Sequence, residues 1–191
     1  MTDKVFIKTI LQKGKEAKEK VKFAFSNICL EQLNWKPSPE SWSIAQCLEH
    51  LIISDSSYFS DLEKITEGIY KMNFWEKHSP FSGVCGRILN DQLQEQVRKK
   101  MTAPKKLRPA TSEMKIELIE RYHKNLDSFL DYISNCKDID IDKTIITSPI
   151  IRIVTYSLRD AIHFLIQHEH RHINQGIRVK NNDNFPKKSI H

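Results

Sequence analysis

The chain has 191 residues, a net charge of +6, 28% charged residues, and only 5 Gly and 7 Pro. That length suits a single domain, 1–191, with a sizeable core. No apolar run approaches the roughly 20 residues that span a membrane, and the N-terminus lacks a secretory signal, so a cytoplasmic protein without a membrane partner is expected. The charge implies affinity for anions but is too small and dispersed to indicate nucleic-acid binding.

The first predicted element is a long helix over about residues 4 to 32, where Ile7, Ile10, Gly14, Ala17, Val21, Ala24 and Ile28 repeat at 3,4 spacing. Its small members let a neighbouring helix approach closely. Pro37 and Pro39 in NWKPSPESW stop it, and Ser43 with Gln46 forms a capping box for the next helix. This second helix is expected over about 44 to 68, with Ile44, Leu48, Leu51, Tyr58, Leu62 and Ile65 as its core stripe and His50 beside it. A long connection follows, over about 69 to 111, with a short helix expected at about 88 to 101. Its segment from Arg98 to Arg108 carries six Lys or Arg and no acid.

A third helix is expected over about 112 to 135, with Ile116, Ile119, Leu126, Leu130 and Ile133 at 3,4 spacing and His123 in the same rhythm as a partly buried, hydrogen-bonded residue. Residues 137–156 read as a loop with at most short extended pieces, and 180–191 as a frayed tail. The four cysteines, Cys29, Cys47, Cys85 and Cys136, show no paired metal spacing and are expected to be reduced thiols.

The last helix carries the chemistry. Ser157 with Asp160 opens it, and SLRDAIHFLIQHEHRHINQGIRV continues without Pro. At 100° per residue, His168, His172 and Gln175 share an arc of about 60°, while His163 and His170 face the other way. Two imidazoles one turn apart on one face can hold a divalent metal, with another part of the chain supplying a third ligand. His168-Glu169-x-x-His172 also matches the zinc-protease pattern, in which the Glu is a general base. However, no Glu follows Glu169, and only His191 follows His172, so the third ligand of those proteases is missing. The plain alternatives are two half-buried structural histidines and, for Glu169, a surface carboxylate.

Four long amphipathic helices with almost no strand make an all-α four-helix bundle. The short first link makes helices one and two antiparallel, and the long second link lets helix three run parallel to helix two. His50 lies about 9 Å from the start of its helix and His172 about 10 Å from the end of the last. They reach one level if those helices are antiparallel, giving up-down-down-up. The long connection then brings the basic segment to the end that holds the histidines, where its field favours an anionic cosubstrate.

NWKPSPESWSIAQCLEHL, FWEKHSPFSG and TYSLRDAIHFLIQHEHRHINQ together resemble the DinB-like (YfiT-like) superfamily of metalloenzymes, over residues 34–175. The resemblance implies the up-down-down-up bundle, and a metal site of His50, His168 and His172 holding zinc or nickel. Relatives with an assigned activity are mostly thiol-dependent. They include transferases of bacillithiol or glutathione-like thiols and a mycothiol-dependent maleylpyruvate isomerase. The function expected is therefore a metal-dependent S-transferase joining a low-molecular-weight thiol to a small electrophile, in a homodimer, with Gln175 orienting a ligand and Glu169 able to take a proton. The alternatives are a metal-dependent hydrolase using Glu169, and a helical bundle that binds a ligand without catalysis.

Overall fold

The computed structural model describes residues 3–93, 103–109 and 113–187. Helix α1, Asp3–Phe25, buries Phe6, Ile7, Ile10, Gly14, Ala17, Val21 and Ala24, which is the expected 3,4 stripe. It stops earlier than its periodicity suggests. Cys29 adopts an extended conformation and caps a separate short helix, α2 (Leu30–Asn34), whose Gln32 reaches back to the Cys29 N–H at 3.1 Å. The local capping box competes with continuation of α1, and Ile28 stays buried through the break.

Helix α3, Ile44–Thr66, begins at the expected box: Ser43 Oγ accepts from Gln46 N at 3.1 Å and Gln46 Oε1 from Ser43 N at 3.2 Å. The long connection contains α4, Phe74–His78, and α5, Ser82–Gln92. The helix expected at about 88 to 101 is thus helical from Ser82 and, in its described part, ends at Gln92; the rest of that expectation, from residue 94 on, lies outside the described residues. Asn73 and Glu76 form a reciprocal box that starts α4. Gly86 lets α5 dock closely, because a Cβ there would overlap the Asp160 carboxyl.

Helix α6, Leu118–Asn135, starts later than expected, and Ile116 lies before it, 42% exposed. Its buried stripe is Leu118, Tyr122, Leu126, Phe129, Leu130 and Ile133. His123 is half-buried as expected, and among the described residues its Nδ1 has no hydrogen-bond partner. Strands β1, Ile145–Thr147, and β2, Thr155–Ser157, pair antiparallel, Ile146 opposite Tyr156. Helix α7, Leu158–Lys180, follows directly, capped by Ser157, whose Oγ accepts from Asp160 N at 3.1 Å.

Contacts between the four long helices set their directions. Glu49 meets Arg121, Ser56 meets Asn125 and Phe59 meets Tyr132, so α3 and α6 run parallel. Tyr58 meets Phe164 while His50 meets His172, so α3 and α7 are antiparallel. Phe6 meets His163 and Ala24 meets Lys180, so α1 and α7 are parallel. Lys18 meets Asp127, and a Cβ on Gly14 would strike Leu130, where α1 crosses antiparallel α6. The order is up, down, down, up. One apolar core, from Phe6 on α1 to Val179 on α7, runs through the bundle.

The expected frayed tail is corrected up to residue 187. Phe185 packs edge-on against Trp35 at 5.5 Å, and Gln32 Nε2 donates to the Pro186 carbonyl at 2.7 Å. Residues 188–191 lie outside the described ones. Among the described residues no helix is long and apolar enough to cross a membrane.

Candidate metal centre

The antiparallel packing of α3 and α7 brings His50, His168 and His172 together. One ligand nitrogen from each lies within 4.8 Å of the others, and all three residues are buried. His50 Nε2 and His168 Nε2 face each other at 3.1 Å. Two nitrogens sharing one ion at about 2.1 Å stand about 3.0–3.4 Å apart, so this separation matches a common ligand sphere.

The outer nitrogens identify which ring positions are bare. His50 Nδ1 donates to the Leu107 carbonyl at 2.7 Å, because a carbonyl oxygen can only accept. Likewise His172 Nδ1 donates to Gln175 Oε1 at 2.9 Å. A neutral ring that donates from Nδ1 presents a lone pair at Nε2, and such outer bonds orient metal-binding imidazoles.

All three rings favour the neutral form. Burial, then the neighbouring imidazoles and Arg171, push His168 well below the usual histidine range. Burial, then His50 and Arg171, do the same to His172. His50 is lowered by burial and by Arg171, against the raising effect of the Leu107 bond. Neutral imidazoles are the ligating form, so the donor set fits a divalent ion.

Trp42 walls the site, its ring stacked on His172 at 5.5 Å and edge-on to His50 at 4.8 Å. The turn Lys105–Leu107 supplies the Leu107 carbonyl, so the described end of the basic segment reaches the histidines. Lys105, Lys106 and Arg108 are exposed there, and Arg98, Lys99 and Lys100 lie outside the described residues. His163 and His170 take no part. The first pairs with Asn90 at 2.6 Å and the second with the Lys13 carbonyl at 3.1 Å.

Glu169 is not a surface carboxylate: it is 0% exposed and accepts a hydrogen bond from Tyr122 on α6. Asp55 on α3 is the other carboxyl of this layer, and burial together with Glu169 raises it well above the carboxylate range. The four cysteines are free, and burial pushes Cys47 up to about 12 and Cys136 up to about 11, which leaves neither as a nucleophile near neutral pH. A cleft of about 790 Å³ lined by Asp61, Trp75, Glu76 and Arg152 lies elsewhere. Asp61 is eleven residues beyond His50 on α3, about 16 Å along the axis.

Sequence reasoning missed Trp42, Arg171, Tyr122 and Asp55. Arg171 carried a usable signal, since it sits about 60° from His168 on the same helix wheel.

A sequence model of the DinB superfamily matches residues 15–175. No curated protein and no solved structure matches the chain.

Proposed function

Because the chain belongs to the DinB superfamily, we propose that it is a metal-dependent enzyme, a thiol S-transferase that joins the sulfur of a low-molecular-weight thiol to a small electrophile. The observation that carries this reading is the convergence of three neutral imidazoles, two of them with Nδ1 tied to an acceptor and Nε2 left for an ion. Zinc or nickel held by His50, His168 and His172 would lower the pKa of a thiol bound to it.

The chain's own residues do the rest. The Leu107 carbonyl and Gln175 hold the rings of His50 and His172 in one tautomer. Trp42 covers His50 and His172 and limits the water that reaches them. Arg171 and the basic turn at Lys105–Leu107 favour anionic molecules at this end. A hydrolase would need Glu169 to draw a proton from water at the ion. That carboxyl is instead buried against Tyr122, which favours the transferase.

The test has two parts. Elemental analysis of protein purified without chelator or a metal-affinity tag should find about one divalent ion per chain. The loaded protein should then consume a low-molecular-weight thiol only when an alkylating electrophile is present. A metal-free protein would leave a non-catalytic ligand-binding bundle as the better reading. Electrophile turnover without thiol loss would favour the hydrolase.

A further inference from the structure

Arg171 is 9% exposed, and its hydrogen bond is from Nη1 to the Gln92 carbonyl at the end of α5, at 2.6 Å. A guanidinium has five N–H donors, and a carbonyl oxygen carries no full charge to balance it. Buried charges are ordinarily paired. The same helix shows the ordinary case. Arg159, near the start of α7, is held by two carboxylates, Asp142 and Asp3. Among the described residues Arg171 has no carboxylate partner.

The charge stands beside the histidine cluster. It is next to His172 in the chain and about 60° from His168 around α7. Arg178, two turns further on along α7, places a second positive charge on the same side of the helix. Among the described residues no carboxylate neutralises this guanidinium, and a buried charge without one costs stability. A ligand carboxylate that accepts two parallel N–H bonds would recover it, in the geometry for which arginine is suited.

We infer that Arg171 is the anion anchor of this site: it binds a carboxylate on the molecule whose other end meets His50, His168 and His172. The inference rests on the metal-binding reading above. It also narrows the substrate class to small molecules that carry a carboxylate and a metal-binding group on one short chain.

The test uses the full chain loaded with cobalt(II), and two thiols that differ in one group, mercaptoacetate and 2-mercaptoethanol. Binding is read from the thiolate-to-cobalt absorption band, not from turnover. The parent should bind mercaptoacetate about tenfold to a hundredfold more tightly. Arg171→Gln should bring the two affinities together by weakening mercaptoacetate alone, and Arg171→Lys should restore part of the difference. A parent that does not prefer mercaptoacetate overturns the inference whatever the variants do. So does a preference that survives in Arg171→Gln. Acetate, read by its effect on the cobalt d–d bands, separates the two proposals. Arg171-dependent d–d shifts with acetate, and with mercaptoacetate through its carboxylate but not with 2-mercaptoethanol, in the absence of a thiolate-to-cobalt band from either thiol, would keep the anion anchor and remove the thiol reading. A protein that takes up no cobalt removes both.

Discussion

Gln175→Leu removes one atom that matters and little volume. Gln175 Oε1 accepts the His172 Nδ1 proton at 2.9 Å, and His172 is itself buried. Without that acceptor the ring can rotate or change tautomer, which takes Nε2 out of the cluster with His50 and His168. Losing such an outer bond typically costs tenfold to a hundredfold in metal affinity, about 1.4–2.7 kcal/mol. Gln175 is only partly buried, so water can replace part of the lost bond, and the expected loss is close to tenfold. Zinc affinity is measured by competition against a chelating dye at pH 7.5, with thermal melts of the metal-free protein as the folding control. The melts should be parent-like. An unchanged zinc affinity would refute the argument that Gln175 orients His172, as would an equal loss in His170→Ala, whose ring contacts the Lys13 carbonyl.

Replacing His50, His168 or His172 with Ala should each abolish stoichiometric metal binding in elemental analysis, while His163→Ala and His170→Ala retain it; retention in any of the first three would remove that ligand. Asp55→Asn should stabilise the protein at pH 8 by roughly 1–3 kcal/mol in urea melts and change little at pH 5. The sign follows from the raised pair: Glu169 is lifted to about 7 and Asp55 is raised too, so the fold binds more protons than the unfolded chain and loses stability as pH rises toward and past 7. A parent-minus-variant difference that does not grow between pH 5 and 8 would contradict this. Gly86→Ala should lower Tm by several degrees, since overlap with the Asp160 carboxyl, at about 1–3 kcal/mol, outweighs a helix-propensity gain of about 1 kcal/mol. A raised Tm would show that Asp160 moves aside freely.

What the sequence determined by itself was local. The 3,4 stripe of α1, the capping box of Ser43 with Gln46, and the face shared by His168, His172 and Gln175 all depend on residues within a few turns of one another, and helical geometry fixes their relation. Connection lengths added the up-down-down-up order, because a long link permits a parallel neighbour that a short one forbids. Where two local signals competed, the choice was harder to read: the Cys29–Gln32 box ended α1 although the apolar rhythm ran on to Ile28.

The tertiary structure decided every partner supplied from a distance. Leu107 reaches His50 across 57 positions, Glu169 meets Tyr122 across 47, and Gln92 meets Arg171 across 79. A Glu or Arg in an isolated helix reads as solvated, because burying its charge is unfavourable until another element arrives with a partner. Packing therefore placed Glu169 beside Tyr122 and Asp55 in the core. It also enclosed Arg171 on the helix that carries His168 and His172, bonded to the Gln92 carbonyl and, among the described residues, to no carboxylate.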